Sequence, residues 1–195
     1  MDPNTPLEET MGALRDIVRM GKALYVGISN YDAPTTKRAY EILKDMGIKP
    51  IIHQMRFSML DRHVQEQGII ETTHDLGMGS IVFSPLEQGI LSDKYLNGIP
   101  KNSRAAKSET FLTEDKITDK LLEKVKRLNE IAGKRGQSLS QMAISWLLGV
   151  GNATSVLVGA SNAEQIRQNV KAIENVQFSN EEKFEIEKIL EEQTA

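Results

Sequence analysis

An apolar segment leads through a glycine into a polar turn and a helix at Ser155-Val156-Leu157-Val158-Gly159-Ala160-Ser161-Asn162-Ala163-Glu164-Gln165. The apolar part has the length and composition of a buried strand, and a strand followed at once by a helix is the unit of a parallel sheet. The backbone N–H groups at the start of such a helix could bind a phosphate. Alternatively, Ser161 or Asn162 is only an N-cap.

A polar face continues along this helix. Gln165, Gln168 and Asn169 stand at positions i, i+3 and i+4, so they share one side of the helix. Amide side chains beside a phosphate site could recognise the edge of an adenine ring, and a solvated helix surface is the alternative.

The same alternation of strand and helix occurs upstream. We predict strands over 23–28, 51–54, 79–83 and 155–158, with the first of them buried on both faces. Thr5 is expected to be the N-cap of the first helix, with Glu8 in a capping box and Gly21 as the stop. The predicted helices cover residues 6–20, 34–46, 65–76, 119–131, 139–148, 163–173 and 180–191. Four parallel strands make half of an α/β (β/α)8 TIM barrel, which leaves two strand edges open.

Composition limits the class of protein. A chain of 195 residues with 39% hydrophobic and 26% charged residues suits one domain, spanning 1–195, with a sizeable core. A net charge of -3 and few aromatic residues argue against nucleic acid as a partner. Without cysteine there is no disulfide framework, and no segment resembles a membrane span or a secretion signal, so we expect a cytoplasmic protein.

Polar residues follow all four predicted strands. They are Ser29-Asn30, Gln54, Ser84-Pro85 and Gly159–Asn162. Ligands of barrel folds lie at the carboxyl ends of the strands, although ordinary turns are polar too. Four such ends together favour a ligand site.

A long irregular segment follows the third strand and extends to about residue 108. It contains Lys94 and Arg104 among flexible glycines, which suits a flap over a pyrophosphate. Phe83, at the end of the strand, could stack on a flat ring. In the alternative, Phe83 belongs to the core and the two cations are solvated.

Three motifs, taken in order, resemble those of the aldo-keto reductases, and specifically the branch with the potassium channel β subunits and bacterial glyceraldehyde-phosphate-type reductases. The motifs are DPNTPLEET at 2–10, GKALYVGIS at 21–29 and GASNAEQ at 159–165, which together extend over nearly the whole chain. The resemblance implies the C-terminal half of an NADP(H)-dependent barrel that reduces aldehydes or ketones.

The resemblance also implies the residues of an NADP(H) site. Residues matching Ser29, Asn30 and Gln54 hold the nicotinamide carboxamide, and the residue matching Phe83 stacks on the ring. The pyrophosphate is lined by Ser84, Pro85, Leu86, Glu87, Gln88 and Lys94. Arg104 and Ser161 approach the 2′-phosphate, Gly159, Ala160 and Asn162 complete the turn, and Gln165, Gln168 and Asn169 surround the adenosine.

Two residues depart from the family pattern. Gln168 stands where the family usually has Glu, and Asn30 stands where the channel β subunits have Arg. Both amides can still form hydrogen bonds with a cofactor.

The family's catalytic Asp, Tyr, Lys and His tetrad has no match here, because this sequence starts too late to contain it. The tyrosines do not correspond to the tetrad tyrosine; they are Tyr25, Tyr31, Tyr40 and Tyr95. The histidines lack metal-ligand spacing and are expected to be ordinary surface or core residues; they are His53, His63 and His74. Trp146 is expected to pack in the core with Met142 and Leu147.

Three hypotheses follow. The chain is part of a reductase that acts on a carbonyl substrate once a missing N-terminal half is supplied, or it is a non-catalytic NADP(H)-binding or interaction module. The third is an inactive fragment, which is expected to be poorly soluble because its strand edges and half of a barrel core are exposed, and which self-association through those edges could rescue. The substrate cannot be read from the sequence, and Met55, Arg56 and Phe57 only suggest a mixed pocket wall.

Overall fold

The computed structural model describes residues 2, 4–96 and 117–192. The described residues divide into two compact units. Unit 1 contains the described residues of Met1–Phe57, Asp61–Phe83 and Asn152–Leu157, and unit 2 contains those of Ser58–Leu60, Ser84–Gly151 and Val158–Ala195.

Unit 1 holds a parallel sheet of four strands in the order β1-β2-β3-β4, which confirms the predicted sheet. The strands are β1 (Gly27–Ser29), β2 (Ile52–Arg56), β3 (Gly79–Phe83) and β4 (Ser155–Val156), and the helices are α1 (Leu7–Arg19), α2 (Ala33–Asp45), α3 (His63–Glu66) and α4 (Ile69–Asp75). In the register, Ser29 faces Gln54, Gln54 faces Ile81 and Arg56 faces Phe83. The carboxyl ends of neighbouring strands therefore meet at one edge of the sheet.

The first and last strands are shorter than predicted. β1 alternates between exposed and buried residues and is not buried on both faces. Leu24 and Tyr25, predicted to lie in this strand, precede it and are 86% and 69% exposed. Among the described residues β1 pairs with β2 and with no other strand, so one of its sides has no covering neighbour. β4 ends at Val156, and its two residues pair with Ile81 and Val82 of β3.

The predicted cap of α1 is wrong. Pro6 occupies the N-cap position without a side-chain hydrogen bond, while the Thr5 hydroxyl donates to Asp2 Oδ2 at 2.7 Å. Proline has no N–H and fixes its own φ, so it starts the helix without a capping side chain. Gly21 ends the helix as predicted, with φ of 69°.

The single helix predicted over 65–76 is two helices. Gly68 adopts a left-handed φ of 65°, which interrupts the helical path between α3 and α4. Beside these helices, the core of unit 1 contains Met11 of α1, Leu43 of α2 and Met78 before β3.

Unit 2 is helical. Its helices are α5 (Asp119–Lys134), α6 (Leu139–Gly149), α7 (Ala163–Val170) and α8 (Asn180–Glu191), with 3₁₀ segments at Glu87–Gly89, Asp93–Tyr95 and Lys171–Asn175. The helix predicted over 163–173 thus changes to a 3₁₀ turn after Val170. Trp146 is buried with Met142 and Leu147, as predicted.

One buried arginine joins three parts of unit 2. Arg135, whose side chain is 2% exposed, pairs with Glu182 of α8 at 2.6 Å. It also donates to the carbonyl oxygens of Asn175 and Gln177, and its guanidinium lies 3.6 Å from the centre of the Phe178 ring. Planar geometry and several fixed donors allow arginine to satisfy these groups together.

No helix in the described part of the chain is long and apolar enough to cross a membrane.

Candidate cofactor-binding site

The carboxyl edge of the sheet in unit 1 brings together three of the predicted site residues. Ser29 and Gln54 are register partners on adjacent strands. Asn30 directly follows β1, and its N–H donates to the carbonyl oxygen of Gln54 at 3.0 Å. Asn30 has a left-handed φ of 56°, which turns the chain sharply at the end of the strand. This edge therefore offers a hydroxyl and two amide side chains from neighbouring positions.

The turn after β1 is closed by the start of α2. Asp32 is the N-cap of this helix, and its carboxylate accepts the N–H of Thr35 at 2.8 Å. Hydrogen bonding by Thr35 holds the pKa of Asp32 below its usual value. The turn of Ser29–Tyr31 is thus bounded by a strand on one side and a capped helix on the other.

A buried histidine lies beside this turn. His53 of β2 is fully buried, and its Nε2 accepts the N–H of Tyr31 at 3.2 Å. Its Nδ1 lies 3.2 Å from the hydroxyl of Thr73 in α4. Burial lowers the pKa of His53 to about 4, so the ring is neutral at neutral pH. From the sequence, His53 is expected to be an ordinary histidine, and no spacing signal links it to the site.

Phe83 and Arg56 complete the same edge. Side chains alternate along a strand, so Arg56 lies on the same face of β2 as Gln54. Its register partner on β3 is the half-buried Phe83. The Arg56 side chain is 46% exposed, with Nε 3.1 Å from Asp61 Oδ2. Met55 and Phe57 are 1% and 0% exposed, so they belong to the core and the predicted mixed pocket wall is wrong for both.

In unit 2, the segment Ser84–Gln88 is a tight turn with three left-handed residues. Ser84, Glu87 and Gln88 have φ values of 58°, 42° and 56°. The turn is closed by the N–H of Glu87 donating to the carbonyl oxygen of Ser84 and by the N–H of Gly89 donating to that of Leu86. Non-glycine residues in this conformation are strained, and such strain concentrates at functional sites.

The side chains of this turn differ in accessibility. Pro85 and Glu87 are buried, and Glu87 Oε1 accepts the hydroxyl of Ser58 at 2.9 Å. Lys94 is exposed, with its Nζ 6.0 Å from the centre of the Tyr95 ring. Arg104, the other predicted cation, lies outside the described residues.

A polar pocket of about 420 Å³ lies within unit 2. Four predicted site residues meet there, three assigned to the adenosine and one to the turn before α7, together with four residues that were not predicted. Its lining consists of Asn162, Gln165, Gln168 and Asn169 with Asp93, Ser138, Ser140 and Glu164. Ser138 and Ser140 come from the start of α6, and only tertiary packing brings them to α7.

Hydrogen bonds within this pocket hold several of the predicted amide side chains in position. Asn162 is the N-cap of α7 and accepts the N–H of Gln165 at 2.9 Å, so Asn162, and not Ser161, caps this helix. The N–H and the hydroxyl of Ser161 both donate to Gln165 Oε1. Gln168 accepts from the buried Gln141 and donates to Glu164 Oε1 at 2.6 Å.

The turn before α7 remains accessible. Gly159 and Ala160 are exposed and lie outside the helices and strands of the structure. A Cβ added at Gly159 would have no atom within 4 Å, so a ligand can approach this backbone closely. Among the described residues, no group of three or more His, Asp or Glu side chains is placed to hold a metal ion.

Comparison with known proteins identifies the relatives of this chain. Two L-glyceraldehyde 3-phosphate reductases, from Escherichia coli O157:H7 and Escherichia coli strain K12, are 47% and 46% identical to it over 190 residues. Each match covers 96% of this chain and 55% of the relative, so the chain spans about half the length of these relatives.

A solved structure supports the same relationship. A thermostable aldo-keto reductase, crystallised with the inhibitor epalrestat, matches with a TM-score of 0.72 and 25% sequence identity. The match covers 96% of this chain and 56% of that structure, so the four parallel strands and their helices have the fold of part of an aldo-keto reductase barrel. The model of the aldo/keto reductase family matches residues 1–191. With this match over almost the entire sequence, the chain belongs to the aldo/keto reductase family.

Proposed function

We propose that this chain supplies the NADP(H)-binding part of a reductase that acts on aldehydes or ketones. The observation that carries the proposal is the meeting of Ser29, Asn30 and Gln54 at the carboxyl edge of the sheet. A nicotinamide carboxamide has one carbonyl acceptor and two N–H donors. One hydroxyl and two side-chain amides provide both donors and acceptors, so the residues fit this group.

Under this proposal, Ser29, Asn30 and Gln54 orient the nicotinamide, and Phe83 covers one face of its ring. Bound NADPH would supply a hydride to the carbonyl carbon of the substrate. The residues of this chain fix the orientation of the ring, which is a requirement for efficient transfer.

The phosphate groups and the adenosine are assigned to residues of unit 2. The backbone of Ser84–Gln88 and the Lys94 ammonium would hold the pyrophosphate, with Leu86 in the same turn. Glu87, whose carboxylate already accepts the hydroxyl of Ser58, would contribute through its backbone. Gly159–Asn162 and Arg104 would hold the 2′-phosphate, and Gln165, Gln168 and Asn169 would surround the adenosine.

We extend the proposal to a phosphorylated aldehyde as the substrate. The relatives are named for reduction of L-glyceraldehyde 3-phosphate. Arg56 lies on the same face as Gln54 and presents a guanidinium, the group best suited to bind a phosphate. The carboxylate of Asp61 contacts Nε of Arg56 and so holds the guanidinium in position.

The proton donor belongs to the family tetrad, which none of these 195 residues matches. We propose that a second barrel half supplies it and pairs with the open edge of the sheet, near the exposed Leu24 and Tyr25. Self-association through that edge is the competing outcome. The proposed compartment is the cytoplasm, because a sequence without cysteine needs no oxidising environment.

Titration with NADPH tests whether this chain binds the cofactor through Gln54. Gln54→Leu keeps the size of the side chain but removes both polar groups, so we expect the Kd for NADPH of the intact protein to rise about tenfold. Gln67→Leu, at an exposed position after α3, is the matched control and should leave the Kd unchanged. Fluorescence of bound NADPH gives both values. Failure of the wild-type protein to bind saturating NADPH would overturn the proposal.

A measurement of turnover distinguishes a reductase from a non-catalytic NADP(H)-binding module. Addition of an N-terminal barrel half that carries the tetrad should restore oxidation of NADPH by glyceraldehyde 3-phosphate. Tight binding without turnover, in a complex shown to be assembled, would instead favour the non-catalytic module.

A further inference from the structure

We propose that His53 is a positioning residue for the nicotinamide end of the site, since it anchors the Ser29–Tyr31 turn to β2 through the N–H of Tyr31. The inference rests on the proposed NADP(H) site and adds to it a residue that does not touch the cofactor.

Two successive amides of the turn bind two successive residues of β2. The N–H of Asn30 donates to the carbonyl oxygen of Gln54 at 3.0 Å, and the N–H of Tyr31 donates to His53 Nε2 at 3.2 Å. The first bond continues the sheet, whereas the second requires a side-chain acceptor at the end of β1. His53 supplies that acceptor from a fully buried position.

The surroundings of His53 select one tautomer. The Thr73 hydroxyl donates its proton to the carbonyl oxygen of Ile69 at 2.8 Å, so toward His53 it acts as an acceptor. Nδ1, at 3.2 Å from this hydroxyl, therefore carries the ring proton. Nε2 therefore has a free lone pair, which it needs in order to accept the N–H of Tyr31. A chain of hydrogen bonds thus runs from α4 through Thr73 and His53 to the turn.

This anchor is needed because of the conformation of Asn30. A left-handed residue other than glycine persists when its neighbours hold it in place. With the bond to His53 removed, the turn retains one backbone bond and can relax toward an ordinary φ. Asn30 and Ser29 would then leave the positions that align them with Gln54.

Two substitutions at His53 separate anchoring from packing. His53→Gln places an amide oxygen near the position of Nε2 and retains the acceptor for Tyr31. His53→Asn places an amide near Nδ1, which retains the bond to Thr73 and loses the bond to Tyr31. Asn is one methylene smaller than Gln, so lost packing alone would also weaken His53→Asn more than His53→Gln. Two probes that bind opposite ends of the proposed cofactor site therefore distinguish a general loss of packing from a local loss of the anchor.

The probes are NADPH and adenosine 2′,5′-bisphosphate, titrated into the intact protein. For His53→Asn we expect the Kd for NADPH to rise about fivefold or more, with that for the bisphosphate unchanged, because the adenosine end does not depend on the turn. His53→Gln should stay within about twofold of the wild type for both probes. Equal weakening of NADPH binding by the two variants would overturn the proposal, as would an unchanged Kd for His53→Asn.

Hydrogen exchange of the Tyr31 amide gives a readout that does not require the cofactor. The amide should exchange faster in His53→Asn than in His53→Gln and the wild type. Equal protection of the Tyr31 amide in all three proteins would show that His53 does not anchor the turn, even if NADPH binds. Lack of NADPH binding to a protein with the expected exchange pattern would count against the proposed function alone.

Discussion

His53 couples the stability of unit 1 to pH. Burial lowers its pKa from 6.5 to about 4, so in that interval the unfolded chain binds a proton that the native ring excludes. The contribution of the neutral ring is fully present above about pH 6.5 and is lost as the pH falls toward about 4. Between about pH 7 and about pH 5, we expect this residue to reduce the free energy of unfolding by roughly 1 to 2 kcal/mol. Urea denaturation at the two pH values measures the change.

The variant His53→Gln has no titrating group at this position and provides the control. Its free energy of unfolding should fall less than that of the wild type over the same interval. Parallel pH profiles for the two proteins would show that His53 does not carry the dependence.

The residues of the candidate site were predictable to different degrees. Spacing along one helix predicted that Gln165, Gln168 and Asn169 share a side, and the pocket of unit 2 brings them together. Ser138 and Ser140 reach the same pocket from α6, and no local pattern could reveal this long-range packing. The role of His53 was equally hidden, because it depends on a hydroxyl in α4 and an amide after β1.

At the scale of elements, α6 is packed so closely that one of its residues has no space for a side chain. A Cβ added at Gly149 would overlap the carbonyl oxygen of Val176, which is backbone and cannot rotate away. We expect Gly149→Ala to reduce the free energy of unfolding by about 2 kcal/mol or more. Thermal and urea denaturation give the change.

The matched control is Gly133→Ala in α5, where an added Cβ has no atom within 4 Å. Alanine favours helix more than glycine does, so this variant should be neutral or more stable by up to about 1 kcal/mol. Similar losses at both positions would contradict the steric explanation.

Element boundaries followed from the sequence where local chemistry decides them. α8 begins at its capping box, with Ser179 and Glu182 bonded to each other's backbone, and its bounds match the prediction. β3 also matches, because it has a strand on each side. Elsewhere tertiary context decided the outcome: β1 has one neighbour among the described residues, so Leu24 and Tyr25 stay outside it, and Gly68 divides a segment with continuous helical periodicity.

At the scale of the whole molecule, β4 is joined to β3 by a reciprocal pair of hydrogen bonds. The N–H of Ser80 donates to the Thr154 hydroxyl, and the N–H of Thr154 donates to the Ser80 hydroxyl, both at 3.0 Å. Thr154→Val keeps the shape of the side chain but leaves the buried Ser80 N–H without this acceptor. We expect a loss of about 1 to 2 kcal/mol in the free energy of unfolding. The Leu157 amide, which bonds to Val82, should also exchange faster.

The same substitution at Thr36 should have the opposite sign. The hydroxyl of Thr36 is buried in α2 and has no hydrogen-bond partner among the described residues. Thr36→Val removes an unsatisfied polar group, so we expect an unchanged or higher free energy of unfolding. Destabilisation by both variants would show that loss of a hydroxyl, and not of this particular pair, causes the effect.

The pairing of β3 with β4 also sets an order of events during synthesis. Ser80 and Thr154 are 74 positions apart, whereas β1, β2 and β3 follow one another closely along the chain. The first three strands can associate while the ribosome is still translating unit 2, but the fourth can join only after residues 155–156 have emerged. Closing so long a loop is entropically costly and slow. Until then, the nascent chain carries β3 with one edge unprotected, and this interval is when a chaperone would be most needed.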